Sequence, residues 1–159
     1  MNYLLSISPL LSFGAMVHAA EVKVSSPHGQ AVVVVPEAGG LSYSVLFDDR
    51  EVVGRSRFSI VADGVDLGAT VTLKKSSSHA IRQSYPMFGG HAQALNYYRE
   101  TTLSVHPAGG EAYELDVRAY NDGVALRSRL PAKAGRKING EATEWKVAGN
   151  PLAWFQKDF

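Results

Sequence analysis

The sequence contains no cysteine. That excludes disulfides, thiolate metal sites and a cysteine nucleophile. It leaves export open, since periplasmic proteins often lack disulfides. An excess of one charge is also missing. Lys plus Arg total 16 against 15 for Asp plus Glu, a net charge of +1, so nothing draws the chain broadly to nucleic acid or anionic lipid. No helical hydrophobic period of useful length runs anywhere in the chain. No glycine-rich phosphate loop precedes a helix, no His-Glu-x-x-His motif occurs, and no serine sits in a Gly-x-Ser-x-Gly elbow. What is present is a globular composition, 45% hydrophobic and 19% charged over 159 residues, enough for one domain with a real core.

The first stretch reads as targeting. Tyr3 to Val17 is apolar but interrupted by Ser6, Ser8, Pro9, Ser12 and Gly14, too short and too broken to span a bilayer. It ends in Val17-His18-Ala19, small residues of the kind a signal peptidase reads, with cleavage expected after Ala19 or Ala20. No Lys or Arg precedes it, so only the α-amino group supplies positive charge. Residues 1–20 are accordingly expected to be a signal peptide, residues 21–159 a mature β domain, and the product periplasmic or secreted, without a membrane anchor after cleavage.

The mature chain follows a period of two. Leu41, Tyr43, Val45 and Phe47 share one face, with Ser42, Ser44 and Asp48 on the other and Leu46 as the exception. That alternation predicts a strand with one face on a core. Val22 and Val24 open an earlier strand, and Val32 to Val35 suits a strand buried on both faces. Further strands are expected at Phe58 to Ala62, Val71 to Leu73, Leu95 to Val105, Tyr113 to Ala119, Val124 to Leu130 and Thr143 to Val147. Turn residues separate them: Pro27-His28-Gly29, Ala38-Gly39-Gly40, Asp48-Asp49-Arg50, Asp63-Gly64, Pro107 to Gly110 and Asn121-Asp122-Gly123. The last is the clearest hairpin signal, with positive φ expected at its centre. Eight or nine short strands with such spacing predict an all-β sandwich. Ser76-Ser77-Ser78 reads as a polar loop, and Pro131 to Gly140 as a basic, mobile one.

Candidate chemistry is thin. His18, His28, His79, His91 and His106 are scattered and suggest loop residues. Asp48, Asp49, Asp63, Asp66, Asp116, Asp122 and Glu144 could in principle supply a carboxylate pair for glycoside hydrolysis, but most fall where Asp serves its own turn. Trp145, Tyr97 and Tyr98 could stack on a sugar if exposed or fill the core if buried. The alternation alone leaves the face of Trp145 open.

Several strings carry a resemblance. Leu41-Ser42-Tyr43-Ser44-Val45, the run Arg118-Ala119-Tyr120-Asn121-Asp122-Gly123-Val124-Ala125-Leu126-Arg127, and Thr143-Glu144-Trp145 followed by Ala153-Trp154-Phe155-Gln156 resemble the N-terminal domain of glycoside hydrolase family 97, in matching order and approximate spacing. Ser25 to Gly29 looks like the family's Ser-Pro-Asp-Gly opening, with His28 in place of Asp, and Asp48-Asp49-Arg50 stands where the family has Asp-Gly-Lys. The resemblance implies an exported bacterial α-glucosidase or α-galactosidase built from an N-terminal super-sandwich of galactose-mutarotase type, a catalytic (β/α)₈ barrel and a small C-terminal β domain. It implies that the chain stops before the barrel, and even before the sandwich is complete, so that no catalytic residue carries over and the chain alone is inactive. The expected role is a non-catalytic scaffold that packs on a barrel, in cis or in trans, and helps shape its pocket. The resemblance also implies a calcium ion near the catalytic carboxylates, with Glu144 the candidate ligand from this domain. Calcium needs several oxygens, so none is expected to bind this chain by itself. The alternatives are a free-standing carbohydrate-binding module, a periplasmic protein-contact sandwich and a non-functional gene fragment. A sandwich lacking strands would be marginally stable and prone to edge pairing.

Overall fold

The computed structural model describes residues 20–89 and 92–152. The expected signal peptide, His18, His91 and the Ala153 to Gln156 string lie outside the described residues. Among the described residues there is no helix. The strands, in chain order, are β1 (Glu21–Ser25), β2 (Ala31–Pro36), β3 (Ala38–Gly39), β4 (Ser42–Phe47), β5 (Arg50–Arg57), β6 (Ile60–Ala62), β7 (Val65–Asp66), β8 (Val71–Pro86), β9 (Gln93–Pro107), β10 (Tyr113–Tyr120), β11 (Val124–Arg129), β12 (Ile138–Glu141) and β13 (Lys146–Val147).

Two five-stranded antiparallel sheets carry the fold, ordered β1-β2-β4-β5-β13 and β11-β10-β9-β8-β3, with a small third sheet β12-β6-β7. The core lies where the inward positions of the two large sheets meet. Val22, Val24, Val33, Val35, Leu41, Tyr43 and Val45 come from one side, and Leu73, Leu103, Val105, Tyr113, Leu115, Val117 and Ala119 from the other. Each large apolar side chain removed from water there contributes about 1.5–3 kcal/mol. This is the sandwich-like arrangement that the alternating pattern predicts.

Val32 to Val35 lies inside its sheet, between β1 and β4, and Val33, Val34 and Val35 are buried. The turn Asp48-Asp49 joins Phe47 to its partner Arg50 with φ of 48° and 59°, a mirror-image turn whose twist suits a hairpin. Here two aspartates adopt what asparagine and glycine usually supply.

Other expectations need correction. Ser76 to Ser78 is not a loop but part of β8, which pairs with β9 along nearly its whole length. Pro131 to Gly140 includes the start of β12, paired to β6. The run Arg50–Arg57 forms β5 although it lacks alternation. Only Lys146–Val147 of the Thr143 to Val147 segment is strand, and Trp145, whose face the alternation leaves open, is 60% exposed. The Asn121-Asp122-Gly123 hairpin exists, with Tyr120 N donating to Gly123 O at 2.8 Å, but none of its three residues has positive φ.

Candidate functional site

Arg55 and Arg57 alternate with buried Ser56 on β5, so both guanidiniums emerge on one face. Lys146 of β13 pairs beside them, opposite Gly54. With Gly40, Ser42, Gly68 and Glu144 they line an open recess of about 450 Å³. The backbone of Glu144 is held on both sides. Its N–H donates to Arg57 O at 2.8 Å, and its carbonyl accepts from the Tyr43 hydroxyl at 2.9 Å. Lys146 N donates to Ser56 Oγ at 2.9 Å. Tyr43 also meets Trp145 edge to face, ring centroids 5.6 Å apart. The Glu144 carboxylate is thus anchored at its root but half-exposed at its tip, 3.2 Å from Lys146 Nζ. The hydrogen bond and charge of Lys146 hold it below the ordinary glutamate value.

A second polar cluster adjoins the recess through Arg57 and Gly68. Asp66 accepts from Arg57 and Ser59 and from Gly68 N at 3.0 Å. The Ser59 hydrogen bond is the largest of the causes that lower its pKa. Gly68 is required there, since a Cβ would sit 2.6 Å from Ser59 Oγ and 2.8 Å from Phe58 O.

The recess does not by itself fit calcium. Among the described residues no group of three His, Cys, Asp or Glu is gathered that could hold a metal. Glu144 offers one carboxylate, already taken by a lysine, where calcium needs six to eight oxygens.

The remaining acidic candidates do other work. Asp116 on β10 is 1% exposed. It accepts from Arg127 Nη2 at 2.8 Å, from Arg129 Nε at 2.8 Å and Nη2 at 2.9 Å, and from Thr102 Oγ1 at 3.0 Å. Burial alone would raise its pKa, but the hydrogen bonds from Arg129, Arg127 and Thr102 bring it down to about 2. It is a paired structural carboxylate on the outer face of its sheet. Asp63 pairs with Lys133 at 2.8 Å. Asp48, Asp49 and Asp122 are exposed in turns. His28 is joined to Asn121, its N–H donating to Oδ1 at 3.0 Å, which brings together the two strings around Ser25 and Arg118. His79 lies 3.5 Å from Glu100, and His106 is 3.1 Å from Ser104 Oγ. Tyr98 is buried against Tyr120, while Tyr97 is only half-buried, beside His28 and Arg82. The sequence singles out Glu144 but not its cationic neighbours, for which the Arg-x-Arg spacing of Arg55 and Arg57 is the available signal.

A family model described as Glycosyl-hydrolase 97 N-terminal matches residues 24–159. A curated relative, a probable retaining alpha-galactosidase of Streptomyces bingchenggensis (strain BCW-1), is 27% identical over 117 residues, 73% of this chain and 18% of the relative. Among solved structures, a glycoside hydrolase family 97 enzyme from Pseudoalteromonas sp. strain K8, in complex with acarbose, superposes with a TM-score of 0.71 at 20% identity, over 80% of this chain and 20% of the other. A beta-arabinopyranosidase superposes with a TM-score of 0.68 at 19% identity, over 79% and 21%. The chain thus spans about a fifth of the length of each of these relatives.

Proposed function

The chain belongs to the glycosyl-hydrolase 97 N-terminal family, and on that premise we propose that it is the non-catalytic scaffold of an exported α-glycosidase, packing on a catalytic barrel and shaping the mouth of its pocket. The observation that carries this reading is the extent of the match, residues 24–159, together with relatives of which it spans about a fifth. The surface supports it. Phe47, Val52 and Val147 are exposed and line one open recess, exposed Trp145 stands between Glu144 and Lys146 of the charged one, and exposed apolar side chains near fixed polar groups are what an inter-domain contact uses. In that setting Glu144 is the carboxylate this chain can offer to a calcium ion whose other ligands belong to the barrel, once Lys146 releases it.

The test is to mix the chain with a separately produced family 97 barrel. Hydrolysis of aryl α-glucosides and α-galactosides is then followed for each alone and for both. The expected result is no hydrolysis by the chain and a gain for the mixture. Hydrolysis by the chain alone, or a mixture no better than the barrel, would sink the proposal. A second reading is favoured by the exposed ring of Trp145, on which a sugar could stack: a free-standing carbohydrate-binding module. Calorimetric binding of panose by the chain, lost in Trp145→Ala, would favour it.

A further inference from the structure

β8 is 16 residues long and β9 is 15, yet their neighbours are much shorter. On the outer side of β8, β3 covers only Val71 and Thr72, and Leu73 N donates to Glu37 O at 2.8 Å. From Lys74 to Pro86, no other strand among the described residues pairs with that side. On the far side of β9, β10 ends at the pair Tyr120 and Tyr98. Arg82–Pro86 and Gln93–Tyr97 therefore form a two-stranded ribbon that projects roughly 17 Å at the rise of a strand.

A long open edge is a hazard that folded proteins blunt with lysines, bulges and prolines. The first part of this edge is blunted in that way. Lys74 and Lys75 stand there, and the register with β9 slips between Lys75 and Ser77. Pro86 closes the far end. Between them, Ser77 to Tyr85 keeps regular pairing with β9 on its inner side, contains no bulge or proline, and among the described residues has no covering strand on its outer side. Its side chains are exposed except Ile81, which is partly buried. Every residue of β8 with a formal charge at neutral pH is basic: Lys74, Lys75 and Arg82.

We infer that the outer edge of β8 from Ser77 to Tyr85 accepts one further strand, an extended segment bearing acidic side chains. The free backbone groups of the edge give affinity to any extended chain. Arg82 within this edge selects for an acidic cross-strand neighbour, and Lys74 and Lys75 just before it attract acidic side chains at the end of the added strand and repel the same residues of a second copy. In naming the source of that strand, the rest of a family 97 enzyme, the inference rests on the scaffold reading. The edge and its charge do not.

The experiment uses the chain itself with two short peptides, one alternating valine with glutamate and the other valine with lysine. Amide hydrogen exchange is read along β8. The expected result is that alternate amides between Ser77 and Tyr85 exchange freely in the chain alone and slow when the glutamate peptide is added, with the lysine peptide binding about tenfold more weakly. The variant Lys74→Glu/Lys75→Glu/Arg82→Glu changes only exposed side chains and should invert that preference; unchanged circular dichroism verifies its fold. Protection of these amides in the chain alone would mean that the chain covers its own edge, and protection that rises with chain concentration would mean a second copy does. Either result overturns the inference, as do equal effects of the two peptides or a preference that fails to invert. No barrel is needed, so failure here is distinct from failure of the scaffold reading.

Discussion

Asp116 joins three strands through its side chain, accepting from Thr102 on β9 and from Arg127 and Arg129 on β11. Its folded-state pKa of about 2 lies below the ordinary 3.8. The carboxylate therefore stabilises the fold above about pH 4, and that contribution is lost as the pH falls through about 2. The shift corresponds to about 2 kcal/mol. Asp116→Asn should lower stability near neutrality by about that amount and flatten its decline between pH 4 and pH 2; urea unfolding across that range measures both. An undiminished acid decline in the variant would assign it to other groups. Glu144 behaves differently because it is exposed. Lys146 lowers its pKa, so Lys146→Met should raise the glutamate titration toward its ordinary value, read by carboxyl NMR, with little change in stability. The environment of Asp116 has no local signal in the sequence, because its partners come from the neighbouring strands β9 and β11, whereas the partner of Glu144 stands two residues along the chain.

At the scale of elements, the strands with an apolar face and the continuous valine run of β2 are legible, and those without apolar contrast are not, for a physical reason. β4 and β10 bury one face, so Tyr43, Val45, Leu115 and Val117 stand out from their neighbours. β8 beyond Leu73 is solvated on both faces, so Ser76 to Ser78 has no apolar contrast to show and resembles a loop. β5 has its buried alternate occupied by Ser56 and is silent for the same reason. Turns were legible by position but not by conformation. Asp49 holds a φ of 59°, strained for a residue with a Cβ, so Asp49→Gly should raise stability by about 1 kcal/mol and the melting temperature by about 2–4 °C. Gly123 has no positive φ, and a Cβ there meets nothing within 4 Å. Gly123→Ala should be close to neutral, within about 0.5 kcal/mol. Thermal melts of the pair test the assignment: a large loss for Gly123→Ala would mean the turn is not built this way.

For the whole molecule, the two kinds of exposed surface predict opposite salt responses. Phe47, Val52 and Val147 line one open recess and Trp145 is exposed two residues before Val147; contacts through these apolar groups strengthen as sulfate drives them from water. The β8 edge attracts partners through Lys74, Lys75 and Arg82, and salt weakens that attraction. Self-association of the chain, if it runs through the apolar surface, should therefore increase with ammonium sulfate and be suppressed by Trp145→Ser/Val147→Lys, while variants of β8 leave it unchanged. Trp145 supplies its own signal, because an indole that is 60% exposed emits at longer wavelength than a buried one and should shift to the blue on association. Sedimentation velocity with parallel fluorescence at low and high sulfate reads both quantities. Association that weakens with salt and leaves the emission unmoved would take the contact off the apolar surface and point to a pairing of opposite charges.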